Sequence, residues 1–222
     1  MDIYKETSET WNKIASLYEE KFMDLDLYNE TYDFFCDAIP VENANILEIG
    51  CGPGNITKYL LAKRPNWLID GIDIAPNMIA LAKKNNPSAN FKVMDSRNIN
   101  ELPTTYDGIV CGFCLPYLSE TDGAKLILDS HKLLSNNGML YISFVEGDPT
   151  TSGFQVGSSG DRVYFHYHHL DDLTRQLVDH GFEKPQVFRV RYKKGTNHTD
   201  IHTITVTKKK TPASYAQTTL TG

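Results

Sequence analysis

The sequence has little of what would take a protein out of an aqueous compartment. No apolar run among its 222 residues approaches the length of a membrane span. The opening MDIYKETSET lacks the basic-then-apolar pattern of a secretory signal. A cytoplasmic protein without a membrane partner is expected. Cysteine is scarce: Cys36, Cys51, Cys111 and Cys114 are scattered over segments that read as buried, which suits reduced thiols better than a disulfide framework. Cys111 and Cys114 form a C-x-x-C pair, but no second pair stands at ligand spacing, so no metal is expected. Excess positive charge is also missing. The formal net charge is −6, which argues against a nucleic-acid partner. That charge is uneven, acidic over 1–40 and basic over 184–210, and both stretches read as solvated faces.

What is present is an alternation of helix and strand signals after an all-helical start. Residues 8–22 place Trp11, Ile14, Ala15, Tyr18 and Phe22 at three- and four-residue steps, an amphipathic helix with Ser8 as its candidate cap. A second helix is expected over 29–39. Strands then fall at 45–49, 67–73, 90–94, 107–112 and 138–145, with helices at 55–64, 76–85 and 121–134. Short apolar strands joined through helices indicate a parallel sheet covered on both faces, an α/β class. The glycine-rich stretch from Gly147 to Gly160 reads as a long loop leading to a short strand that reaches Tyr167, followed by a helix stopped at Gly181. Strands at 184–193 and 200–208 flank KGTNHT as an antiparallel hairpin. Residues 211–222 are polar and aperiodic, a flexible tail.

The most informative stretch is ILEIGCGPGNIT, residues 46–57. An apolar strand ends against Gly50, Gly52 and Gly54 at every second position. Ligands of open α/β sheets sit outside the carboxyl ends of the strands, where glycine lets the backbone approach and the next helix presents free amides. A dinucleotide fingerprint would need its third glycine at position 55, which is Asn55, so a nucleotide-dependent oxidoreductase is disfavoured. Glu48 is unexpected on a strand buried on both faces and must have a partner.

An acid preceding G-x-G-x-G resembles the first motif of the class I methyltransferases that use S-adenosylmethionine. DGIDIAPNMIALAKKN is similar to the family's second motif, with Asp73 implied to accept from the ribose hydroxyls and Ile74 to lie beside adenine. VMDSRNI resembles the adenine-binding stretch, implying Asp95, Ser96 and Arg97 there. YDGIVCGFCLPYL resembles the fourth motif, implying Cys111 and Phe113 beneath the methyl donor. WNKIASLYEEKF is similar to a W-x-x-x-A-x-x-Y pattern of N-terminal lids, implying that Tyr18 meets the methionine end, with Tyr4 alongside if the terminus folds inward.

The resemblance implies a three-layer Rossmann-like fold, with a mostly parallel seven-stranded sheet, a C-terminal antiparallel hairpin and an N-terminal helical lid. One domain is expected over 1–210: a lid over 1–40, a cofactor-binding half over 41–146 and a substrate-side half over 147–210. It also implies S-adenosyl-L-methionine as cofactor, S-adenosyl-L-homocysteine as product, and a small-molecule acceptor methylated on oxygen or nitrogen, in a monomer or homodimer. GFCLPYL lacks the Asn/Asp-Pro-Pro-aromatic pattern of enzymes that methylate nucleobase or glutamine amides. Phe113, Leu115 and Tyr117 are expected as pocket walls. In YFHYHHL, alternation turns Tyr164, His166 and His168 one way, with His166 as the expected base and Tyr117 beside it as the second catalytic residue. The alternative is a protein of this fold that binds S-adenosylmethionine without turnover.

Overall fold

β1 (Asn45–Ile49) is the strand around which the sheet is organised, and it is buried from Ile46 onward. Its side chains alternate between faces, as a pleated strand requires. Leu47 and Ile49 join an apolar cluster on one side of the sheet. Ile46 joins another on the opposite side. The computed structural model describes residues 2–157, 160–194 and 198–211. The expected tail from 212 onward and the centre of the KGTNHT turn lie outside the described residues.

Further strands are β2 (Leu68–Asp73), β3 (Asn90–Val93), β4 (Tyr106–Cys111), β5 (Leu134–Val145), β6 (Gly153–Val156), β7 (Arg162–Phe165), β8 (Gln186–Lys194) and β9 (His198–Lys208). The helices are α1 (Ile3–Lys13), α2 (Ala15–Phe22), α3 (Asn29–Asp37), α4 (Asn55–Lys63), α5 (Pro76–Asn85), α6 (Glu120–Leu133) and α7 (Leu170–Asp179). The main sheet runs β3-β2-β1-β4-β5-β9-β8. Its first five strands are mutually parallel. β9 is antiparallel to β5 and to β8, which makes the expected hairpin. Strand order reverses between β1 and β4, the position where doubly wound sheets open a crevice at their carboxyl ends.

One apolar layer packs Leu126 and Ile127 of α6 and Leu173 and Leu177 of α7 onto Ile109 and Ile142. The other packs Tyr32 and Phe35 of α3 and Leu60 of α4 onto Ile46, Val110 and Tyr141. Each fully buried Leu, Ile or Phe contributes about 1.5–3 kcal/mol, so the two layers supply the driving force for the sandwich.

The amino-terminal helix begins earlier than its apolar periodicity suggests and is interrupted. Asp2, not Ser8, caps it, its carboxylate accepting from the Tyr4 and Lys5 amides. Ser8 lies inside the helix and donates to the Lys5 carbonyl. Ile14, at φ −95° and ψ 13°, separates α1 from α2. The expected apolar stripe nevertheless forms: Trp11, Ala15 and Tyr18 pack on Ala75 and Met78 next to and within α5.

The stretch from Gly147 to Gly160 is not a plain loop. It contains β6, which pairs antiparallel with β7 as a two-stranded sheet apart from the main one. Phe154 and Val156 are strand-favouring residues opposite Tyr164 and Arg162, and α1 seals β7 through Thr7, whose hydroxyl accepts from the Tyr164 amide at 3.0 Å. The main chain of β7 ends at Phe165, so His166 follows the strand.

Gly54 caps α4 at φ 84°, and a Cβ there would lie 2.3 Å from Asn86 Nδ2 and 3.4 Å from Ala82. At Gly153 a Cβ would meet nothing within 4 Å. Gly54→Ala is expected to cost more than about 1 kcal/mol in urea denaturation. Gly153→Ala should stay within about 0.5 kcal/mol of the parent in the same measurement.

Candidate active site

The residues after β1 turn sharply back over β2. The amides of Gly50 and Cys51 both donate to the Ile72 carbonyl, at 2.8 and 2.9 Å. Such a turn needs positive φ, and Gly50 and Gly52 stand at 69° and 52°. Gly50 also has no room for a side chain, since a Cβ there would lie 2.9 Å from Cys114 Cβ. Asp73 closes the turn from the end of β2. Its carboxylate accepts from the Gly52 amide at 3.0 Å and from the Ala75 amide at 2.8 Å. Burial pushes the Asp73 carboxyl up, and those amide bonds oppose the shift.

Behind the turn, Glu48 is 1% exposed. Thr57 of α4 donates to its Oε2. Oε1 has no hydrogen-bond partner among the described residues. Burial pushes the Glu48 carboxyl up to about 8, with the Thr57 bonds opposing. The group is therefore largely protonated at neutral pH, which removes the charge, the larger part of the cost of an acid on a doubly covered strand.

A cavity of about 130 Å³ opens over the glycine turn. Nine predicted site residues line it: Tyr18, Gly50, Gly52, Asp73, Ile74, Asp95, Ser96, Phe113 and Tyr117. They come from α2, from the ends of β1, β2, β3 and β4, and from the short 3₁₀ turn Leu115–Tyr117. Phe113 is held at φ 52° by its amide, which donates to Ser143 Oγ at 2.8 Å. Burial pushes the Tyr18 and Tyr117 phenols well up, so both remain protonated at neutral pH. Asp95 is a turn and ion-pair residue as well as a wall. Burial raises its carboxyl, but the bonds and charge of Arg97 outweigh this and the net shift is downward.

Four predicted residues stand behind the walls. Glu48 is one, and Gly54 is the α4 cap. Arg97 reaches around Asp95, with its guanidinium centre 4.0 Å from the Tyr4 ring centroid. Cys111 is fully buried in the core, and its thiol is pushed well up by a hydrogen bond with Cys114 and by burial. Among the described residues no group of His, Cys, Asp and Glu could hold a metal ion.

His166 is not in this cavity. With Tyr164 and His168 it lines a separate cleft of about 280 Å³ between α6 and α7. The reason is the 3₁₀ turn at Leu115–Tyr117: the His166 amide donates to the Pro116 carbonyl at 2.7 Å, and Phe165 meets the Tyr117 ring at 5.9 Å. Tyr164, His166 and His168 therefore do not share a pocket with Phe113 and Tyr117, contrary to the expectation from alternation. Burial lowers the His166 imidazole, with Asp122 opposing.

Wall residues outside the predicted set are Thr7, Ser8, Trp11, Met78, Met94, Gly112, Cys114 and Leu118; Tyr4 lines the cavity as expected for a terminus that folds inward, whereas Leu115, expected as a pocket wall, lines the histidine cleft instead. Tyr4, Thr7, Ser8 and Trp11 are present because α1 lies across the opening. Tyr4 Oη donates to the Asp122 carboxylate and accepts from the Ser119 amide. Thr10 Oγ1 donates to the Arg162 carbonyl at 2.8 Å, and Asn12 accepts from the Asn77 amide at 2.8 Å.

Residues 46–138 match the family model described as a methyltransferase domain. A putative methyltransferase, 235L, of Invertebrate iridescent virus 6 is 34% identical over 113 residues, 50% of this chain and 40% of that protein. The chain spans less than half the length of the curated relatives it matches. Among solved structures, a SAM-dependent methyltransferase from Methanosarcina mazei superposes with a TM-score of 0.69 at 20% identity, covering 85% of this chain and all of that one. The DhpI–SAH complex superposes with a TM-score of 0.71 at 13% identity, covering 95% and 98%. These likenesses establish a Rossmann-like methyltransferase fold.

The raised carboxyl of Glu48 gives a signed pH effect. The folded state holds a proton that the unfolded state releases above its ordinary carboxyl range, so stability is fullest at low pH and is lost as pH rises towards about 8. Glu48→Gln removes that dependence. In denaturation midpoints measured from pH 5 to 9, the parent should fall behind Glu48→Gln progressively between about pH 5 and 8, by at most about 1.4 kcal/mol per pH unit. Parallel pH profiles would show that Glu48 is ionised in the fold.

Proposed function

We propose, from the match of residues 46–138 to a methyltransferase domain, that the protein is a class I methyltransferase that transfers a methyl group from S-adenosylmethionine to an oxygen or nitrogen of a small neutral molecule. The observation that carries this reading is the meeting of the Gly50–Gly52 turn, Asp73 and the Asp95–Ser96 loop in one cavity at the switch point of the sheet. The residues fit the group: a glycine turn offers bare backbone, Asp73 a carboxylate, and Trp11 Nε1 a buried donor with no partner among the described residues. When bound, S-adenosylmethionine supplies an electrophilic methyl on a sulfonium. In this reading Asp73 accepts from the ribose hydroxyls, Ile74, Asp95 and Ser96 bound the adenine, and the Gly50–Gly52 turn and Tyr18 bound the amino-acid end.

The acceptor class follows from the wall chemistry. Asp73 and Asp95 are the charged wall residues, and no Lys, Arg or His lines the cavity among the described residues. A carboxylate acceptor would find no cation there, and a nucleic-acid strand no basic track. Phe113, Leu118 and Tyr117 instead suit a compact, largely apolar molecule. Its nucleophilic atom is aligned mainly by packing, with the neutral Tyr117 hydroxyl orienting it, since an in-line displacement gains most from alignment and desolvation. A further part of the reading is that α1 and α2, which lie across the cavity and are fastened to α6 and β7 by a few hydrogen bonds, are a lid that opens when those bonds part to admit ligand.

Calorimetry with S-adenosylhomocysteine tests the cofactor assignment. Asp73→Ala should weaken binding at least about tenfold, the loss of one or more charge-assisted hydrogen bonds. Unchanged affinity in a folded variant would defeat it. Release of S-adenosylhomocysteine during a metabolite screen separates an enzyme from a protein that only binds.

The lid is tested by hydrogen exchange. Amides over 4–25 should gain protection when S-adenosylhomocysteine is added, whereas equal protection in both states would make α1 and α2 a fixed layer of the fold.

A further inference from the structure

The wall opposite the glycine turn is aromatic and built from three separate elements. Trp11 of α1 meets Tyr18 of α2 at 5.5 Å between ring centroids with an interplanar angle of 88°. It meets Tyr117 of the 3₁₀ turn at 5.4 Å and 72°. Trp11 thus stands close to perpendicular to each of the two phenol rings, and all three line the cavity, so this part of the wall is aromatic from three elements and is not a parallel stack. Tyr18 stands next to the turn: a Cβ at Gly52 would lie 3.6 Å from Tyr18 Cε1. Neither phenol carries charge at neutral pH, because burial holds both protonated.

From this arrangement we propose that Trp11, Tyr18 and Tyr117 form a cation-recognising aromatic box that makes the site prefer the sulfonium form of the cofactor to its neutral thioether product. The inference rests on the S-adenosylmethionine reading above and goes beyond it, since that reading requires only that the site take both. A ring face carries negative quadrupolar charge, and perpendicular rings present it to one point from several sides. Carboxylates would attract the sulfonium as well, but Asp73 is engaged by two amides at the edge of the turn, and Asp95 is neutralised by Arg97. The three rings are thus the remaining electron-rich surface of the cavity wall, with Tyr18 next to Gly52. Transfer of the methyl group abolishes the positive charge on sulfur, so the same rings lose their hold on the product when turnover is complete. The box contributes to product release without any moving part of its own.

The test is a ratio of binding constants and needs no acceptor. Calorimetry on the full chain compares S-adenosylmethionine, S-adenosylhomocysteine and sinefungin, in which a carbon replaces sulfur and carries an ammonium at the position of the transferable methyl. The native protein should bind S-adenosylmethionine and sinefungin each about fivefold to thirtyfold more tightly than S-adenosylhomocysteine, the range of a desolvated cation–π contact. Trp11→Leu should bring all three ligands within about twofold, and Trp11→Phe, which keeps a ring, should restore part of the difference. Tyr117→Leu, on a different element, repeats the measurement if α1 detaches in the first variant. A native protein that binds the thioether as tightly as the sulfonium, or a preference that survives both leucine variants, would overturn the proposal while leaving the cofactor assignment intact. Failure to bind any of the three would overturn the assignment itself, and the box with it.

Discussion

The geometry of the site depends on one short set of backbone hydrogen bonds, those that tie the end of β1 to the end of β2. Gly50 and Cys51 donate to the Ile72 carbonyl, and Gly52 donates to the Asp73 carboxylate. These bonds hold the glycine turn down over the sheet, so the space above it stays open. The same bonds orient Asp73, which is therefore both a fastener of the turn and a wall of the cavity. Tyr18, Trp11 and α1 are placed relative to that turn, and the cavity exists because α1 crosses it without filling it.

A second constraint comes from the neighbouring strand. β4 ends with Cys111 in the core, and the chain then bends through Phe113 at φ 52°. For a residue other than glycine that conformation carries strain, which the bond to Ser143 Oγ offsets. The bend brings Cys114 against Gly50 and starts the Leu115–Tyr117 turn that walls off the histidine cleft. One strained residue thus shapes the cavity on one side and separates it from His166 on the other.

Much of this was legible in the sequence where the determinants are local. The glycine spacing and the alternation of short apolar strands with helices are local and marked the turn and the parallel sheet, Asp73 was implied by the resemblance, and α5 falls where its periodicity put it, whereas the order of the strands is set by pairing that no local pattern reveals. The site residues that escaped notice are those placed by contacts distant in the chain. Met78 and Cys114 reach the wall only because α5 and the Phe113 bend are where they are. Tyr164, His166 and His168 do line one cleft, but Tyr167 lines it too, because β7 ends at Phe165 and alternation stops there, and no local pattern reveals that Pro116 would accept from the His166 amide and put a wall between that cleft and the donor cavity. The start of α1 was misplaced for a simpler reason: a cap is an oxygen in reach of free amides, and Asp2 supplied one six residues before Ser8. In the stretch from Gly147 to Gly160, glycine content hid a strand whose pairing partner comes later in the chain.

The claim at the centre of this account is that the cavity over the Gly50–Gly52 turn is the cofactor site. A crystal structure of the protein grown with S-adenosylhomocysteine tests it most directly. The account predicts the ribose hydroxyls on the Asp73 carboxylate, the adenine between Ile74 and Ser96, and the sulfur beneath Trp11, Tyr18 and Tyr117. Ligand density in the cleft beside His166, or a ribose turned away from Asp73, would contradict it.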